Sequence, residues 1–229
     1  MRRALLVGLC LLVPALALAH ISGNASPLAA NSTQEITLNV GHGCEGADTS
    51  FVRTVIPAGV TNVRAMTSDF GRATVEKDMT GNAIAVNWVR ADADLIPEDT
   101  NFYKLVIRAR LPNAPFTTVF FPTEQRCKLE DGGVAISLWT DTTGMPVDAG
   151  APEAAPSIVL VPAHKNGWHQ ITVPVAVSNM AVYFSDAQIV WRGNQAYSPV
   201  ASVNALISTT PGVTGLTALA ANDQIWVKY

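Results

Sequence analysis

Apolar and polar residues alternate with a period of two along most of this chain, in short runs. Residues 34–40 place Ile36, Leu38 and Val40 on one side and Glu35, Thr37 and Asn39 on the other, the pattern of a strand with one buried face. Similar runs occupy residues 50–56, 60–66 and 102–111, and proline or glycine closes two of them at Pro57-Ala58-Gly59 and Pro112. Residues 74–89 are broken by Thr80-Gly81-Asn82 and predict a hairpin with Trp88 in the core. Shorter strands are predicted at 117–121, ending at Pro122, and at 134–139, following Asp131-Gly132-Gly133. Residues 21–32 read as an extended arm, 41–46 as a glycine-rich turn and 92–100 as an acidic loop. Many short strands with almost no helical period predict an all-β fold, an antiparallel β-sandwich of the immunoglobulin or cupredoxin type.

Beyond residue 140 the pattern changes. Residues 140–156 are rich in Gly, Pro, Ala and Asp and read as a linker or long loop. Strands are expected at 158–161, 171–175 and 225–229, short apolar stretches at 181–184 and 188–191, a short helix at 202–208 and a further short element at 216–220. No internal repeat or low-complexity tract is present. The expected organisation is a sandwich over residues 20–160 and a small C-terminal extension over 161–229. The extension is either a unit of its own or a set of strands added to the sandwich.

The first 19 residues stand apart. Arg2 and Arg3, an apolar run from Ala4 to Leu18 and Ala17-x-Ala19 match a secretory signal peptide cleaved after Ala19. Cys10 follows Leu9, where a lipoprotein would need a small residue, so it reads as part of the apolar run. No other stretch is long and apolar enough to span a bilayer. The expectation is a soluble exported protein, periplasmic or extracellular. Hydrophobic residues at 48% and charged ones at 14% argue against disorder. A net charge of −3 without a basic stripe excludes nucleic acid as a partner class. There is no phosphate loop, nucleophile elbow, zinc-protease helix or CxxC pair.

Cleavage after Ala19 makes His20 the first residue. Its α-amine and its imidazole Nδ1 then form a chelate that suits copper(II), which prefers nitrogen ligands in a tetragonal arrangement. The ordinary alternative is that some residue must come first and histidine is an accident. Two cysteines remain, Cys44 and Cys127. An oxidising compartment favours a disulfide between them, and a thiolate copper site is the alternative. His42 lies in the glycine-rich turn, where histidines more often bond to the backbone than to a metal. His164 and His169 flank a second turn and would make a weaker metal site.

The Ala19-His20 junction, Gly41-His42-Gly43-Cys44, the run from Phe121 to Cys127, Trp139 and the Ala151–Leu160 tail occur in an order that resembles the YcnI-like family of exported copper-binding domains. The C-terminal segment, with Trp191 and Trp226, looks like the extension carried by one branch of that family. The resemblance implies Cu(II) held by a single-histidine brace: the amine and imidazole of His20, an acidic ligand, and Trp139 against the metal. Lys104 stands where the family's glutamate is expected, so the acidic ligand is sought among Glu98, Asp99 and Glu124, with His42 as a further candidate. The expected role is extracytoplasmic copper homeostasis or trafficking, with another exported or membrane copper protein as partner, and not catalysis. A copper-dependent oxidative enzyme built on the same brace and a metal-free envelope-binding module are the rival readings.

Overall fold

The computed structural model describes residues 21–96, 99–143 and 152–229. The sandwich begins with β1 (Ile21–Ser22), β2 (Leu28–Ala29), β3 (Thr33–Val40), β4 (Thr49–Val55) and β5 (Thr61–Ala65). It continues with β6 (Arg72–Lys77), β7 (Ala83–Val89), β8 (Tyr103–Arg110), β9 (Thr117–Phe120) and β10 (Thr123–Lys128). It ends with β11 (Val134–Asp141), β12 (Glu153–Ala154) and β13 (Ser157–Val161). One sheet has the order β1-β3-β8-β5 and the facing one β12-β11-β10-β4-β7-β6. Within these two sheets the pairings are antiparallel except that of β11 with β12.

The alternation in sequence explains the layers. Ile36 and Leu38 of β3 stand opposite Ile107 and Leu105 of β8. All four are fully buried, in one cluster with Val52, Val86, Trp88 and Trp139 of the other sheet. Each such aliphatic side chain contributes roughly 1.5–3 kcal/mol by leaving water. Trp88 is in the core, as the hairpin pattern predicts. A small sheet, β2-β13-β9, lies beside the two layers.

β12, inside the stretch read as a loop, escapes the sequence pattern, and so does a long central strand of the sandwich. β10 has the sequence Thr-Glu-Gln-Arg-Cys-Lys, and its buried side is Thr123, Gln125 and Cys127. A strand whose inward face is polar shows no hydrophobic alternation, and this one is central, lying between β4 and β11.

Residues 168–228 build a separate sheet from β14 (Trp168–Thr172), β15 (Ile189–Arg192), β16 (Gln195–Tyr197), β17 (Thr214–Gly215) and β18 (Gln224–Lys228), in the order β14-β18-β15-β16-β17. Two short helices accompany it, α1 (Met180–Tyr183), where the sequence showed only an apolar stretch, and α2 (Ala201–Thr209), near the expected helix. Val173, Phe184, Val190, Ile225 and Val227 form its own core. The extension is therefore a unit with a sheet of its own. Phe116 of the sandwich enters that core, its ring centroid 5.7 Å from Tyr183 and 5.6 Å from Phe184. It does so from a left-handed backbone (φ 65°), uncommon for a bulky residue.

Candidate metal centre

The turn between β3 and β4 is held from several sides. β1 pairs with the end of β3, Ile21 opposite Val40, immediately before the turn. Gly43 is required by crowding: a Cβ there would lie 1.8 Å from the Ala47 carbonyl oxygen and 3.3 Å from Asp99 Oδ1. A disulfide joins Cys44 to Cys127 and ties the turn to β10. It uses both thiols and so rules out a thiolate copper site at these residues.

Gln125 makes the next connection. It is fully buried, and its Nε2 donates to the His42 carbonyl at 2.9 Å and to Thr49 Oγ1 at 2.8 Å. Its Oε1 accepts the Trp139 indole N–H at 3.2 Å. Trp139, 2% exposed, is thus a core side chain whose polar edge is linked through one amide to the backbone of His42.

Asp48 holds the acidic loop. It is buried, and its Oδ1 accepts the Tyr103 hydroxyl at 2.6 Å while its Oδ2 accepts the Ile96 N–H at 2.9 Å. Arg90 balances its charge at 3.8 Å. Burial, and then the bond to Asp48, push the Tyr103 phenol above its ordinary value. Asp48 thus anchors the chain at Ile96 before Asp99 and at Tyr103 after it.

His42 Nδ1 lies 2.8 Å from the Gly43 carbonyl oxygen and 3.5 Å from Asp99 Oδ2. A carbonyl only accepts, so in the hydrogen bond to Gly43 it is Nδ1 that donates. The ring's Nε2 is buried without a hydrogen-bond partner among the described residues, and so is Asp99 Oδ1. A neutral imidazole whose N–H is bonded to a carbonyl and whose other nitrogen is bare is the form that ligates a metal. Among the described residues no group of three or more His, Cys, Asp or Glu side chains that could hold a metal ion is present. An imidazole nitrogen and a carboxylate oxygen are donors that Cu(II) accepts, as zinc and other first-row ions do.

Of the residues singled out from sequence, the structure brings together His42 and Asp99, and joins Trp139 to them through Gln125. His20 and Glu98 lie outside the described residues. Glu124 is not brought in: it lies on the outer face of β10, paired with Arg126. Lys104, opposite Asn39 on β8, is exposed. Gln125 escaped sequence reasoning, although a lone amide between two inward-facing positions of Phe121–Cys127 was a signal available to it. His164 and His169 make no paired site. His164 Nδ1 lies 3.1 Å from the Pro162 carbonyl oxygen and its Nε2 3.3 Å from Asp186. His169 Nε2 is 2.7 Å from the Lys165 carbonyl oxygen, and the Tyr229 ring stacks on His164.

Residues 20–160 match the model of a family described as a domain of unknown function, DUF1775. No curated protein sequence matches the chain. A solved structure of an uncharacterized protein from Nocardia farcinica, described as having an immunoglobulin-like fold, is 24% identical. It aligns with a TM-score of 0.50 over 62% of this chain and 97% of that one. At this identity the likeness establishes the fold alone, an immunoglobulin-like β-sandwich. The major pilin subunit BcpA of Bacillus cereus is 8% identical over 92% of this chain and 55% of that one, with a TM-score of 0.38.

Proposed function

For a chain that belongs to the DUF1775 family, the family of YcnI-like proteins, we propose the role of an exported copper(II)-binding protein in extracytoplasmic copper homeostasis or trafficking. His20, freed by signal-peptide cleavage, supplies its amine and imidazole. Asp99 supplies the carboxylate oxygen that Glu98 or Glu124 would otherwise have to provide, and His42 Nε2 offers a further nitrogen. The observation that carries the reading is the pair of buried atoms without a hydrogen-bond partner among the described residues, His42 Nε2 and Asp99 Oδ1, in the turn that follows the strand paired with Ile21. Leaving such atoms bare costs about 1–3 kcal/mol each, a cost that a metal ion would offset.

The residues divide the work. Gly43 lets the turn approach Asp99, and the disulfide and Gln125 hold His42 in place. Trp139 presents a rigid apolar body to the same network and limits water on that side. Bound copper(II) supplies a charge that accepts these nitrogen and oxygen donors and can change by one electron. Because the α-amine has an ordinary pKa of about 7.7–8.0, binding displaces its proton and weakens as pH falls. The cargo is the ion itself, handed to another exported or membrane copper protein.

A Cu(II) titration followed by EPR tests the reading, using protein that starts at His20 and the same protein with one added N-terminal alanine. Stoichiometric binding with a nitrogen-rich tetragonal signal, lost in the extended protein, is expected. No binding at stoichiometric copper would refute it. The bare His42 Nε2 also favours a second reading, a copper-dependent oxidative enzyme with two histidines at the metal. Ascorbate oxidation by the copper-loaded protein well above that of free copper would select it.

A further inference from the structure

Three of the five tryptophans belong to the C-terminal sheet: Trp168 on β14, Trp191 on β15 and Trp226 on β18. Ile225 and Val227, on either side of Trp226, and Val190, next to Trp191, are buried in the unit's core. Strand alternation therefore turns the tryptophans to the opposite, outer face. Trp168 is 51% and Trp226 49% exposed, and Trp191 is partly exposed. The register sets Trp226 directly between Trp191 and Gln170, and Trp168 opposite Lys228. Directly opposed Cβ atoms lie about 4.5–5.5 Å apart and diagonal ones about 7–8 Å, so the three tryptophans occupy neighbouring positions on one face across the three strands. Gln170 and Gln224 lie on the same face, the amide of Gln170 donating toward the Gln224 side-chain oxygen at 3.5 Å. By strand alternation, Lys228 is the single charged residue on this face of the three strands.

The make-up of this face narrows its ligand. Half-exposed tryptophans offer roughly 250–300 Å² of aromatic surface in all. A stable dimer needs about 800 Å² per partner, so a second copy of this chain would have to take most of its interface from outside these three side chains. One lysine is too little for a polyanion or an anionic membrane, which call for clustered basic residues. What remains is a neutral ligand that presents flat C–H faces to indole rings and hydroxyls to amides. Pyranose rings with equatorial hydroxyls have both, and a β-linked chain of them lies extended enough to cross neighbouring strands. We propose that the outer face of the C-terminal sheet binds a neutral polysaccharide of β-linked pyranose rings, through stacking on Trp168, Trp191 and Trp226 and hydrogen bonds to Gln170 and Gln224.

Calorimetry and tryptophan emission with cellohexaose and chitohexaose test this, on the full chain from residue 20 in the presence of EDTA, so that the outcome is independent of copper. Saturable binding to at least one of them is expected. It should weaken at least tenfold in Trp168→Ala/Trp226→Ala with an unchanged far-UV spectrum, and should persist in His42→Gln. If the double variant loses its fold, Trp168→Ala alone carries the test, since its side chain is half in solvent. No binding of either sugar at about 10 mM, a regime of barely measurable affinity, overturns the proposal, as does undiminished binding by the folded variant. Tryptophan-dependent dimerisation in sedimentation, or flotation with phosphatidylcholine vesicles, in place of sugar binding would assign the face to a second copy or to lipid and overturn it equally.

Discussion

His42 and Asp99 meet ring nitrogen to carboxylate at 3.5 Å, and each keeps one further atom, Nε2 and Oδ1, buried and unpartnered among the described residues. A structural ion pair would be expected to satisfy its buried atoms. Under the proposed function, these two atoms are the ones that would turn to a metal ion.

Function and stability should accordingly separate at Asp99. Asn in its place keeps the shape and removes a buried charge, so thermal stability should hold within about 1 kcal/mol or rise. Copper(II) affinity should drop at least tenfold, about 1.4 kcal/mol. Parallel thermal melts and metal competition titrations check this. A loss of stability with unchanged affinity would make Asp99 a structural residue.

Gln125→Leu should act in the opposite sense. It removes the donor used by the His42 carbonyl and Thr49 and the acceptor used by the Trp139 indole. A cost of about 2–4 kcal/mol is expected in urea unfolding, with a shift in the Trp139 emission as its N–H loses that partner.

The disulfide closes a separation of 83 residues. Chain-entropy arguments put its stabilisation near 4–5 kcal/mol, and measured values run about 2–5. Cys44→Ser/Cys127→Ser should lower the denaturation midpoint by an amount in that range. It should also weaken copper binding, because Cys44 lies two residues from His42 in the tethered turn.

Alkaline titration reports on the scaffold behind the site. Burial, and then Asp48, raise the Tyr103 phenol there, and burial raises Tyr197 and Tyr229 in the C-terminal unit. The folded protein thus holds these protons longer than the unfolded chain. The stability they lend is complete below about pH 10 and is lost as pH rises through the folded values. Phenolate absorbance should appear later in native than in denatured protein, and Tyr103→Phe should remove part of that delay.

The sandwich was largely legible in sequence because burial on one face leaves an alternating trace: β3, β4, β7 and β8 fall within a few residues of their expected positions. β10 was not, because Thr123, Gln125 and Cys127 bury polar or small groups whose partners are remote in the chain. The site was half legible. His42 and Asp99 were both candidates by residue type, but their meeting depends on Asp48 and Tyr103 folding the acidic loop, a contact across 55 residues. Trp139 was singled out, while the amide joining it to His42 was not. Glu124 failed as a candidate for a reason of parity: it is next to Gln125, and neighbouring residues in a strand face opposite ways.

Phe116 has a practical consequence for anyone dissecting the chain. Its ring is 3% exposed only because the C-terminal unit closes over it. Protein cut after residue 161 would present a bare aromatic side chain on a left-handed backbone, an invitation to self-association. A shortened sandwich made for metal studies should therefore carry a polar residue or glycine at 116, and aggregation of the uncorrected fragment would say nothing against the copper site.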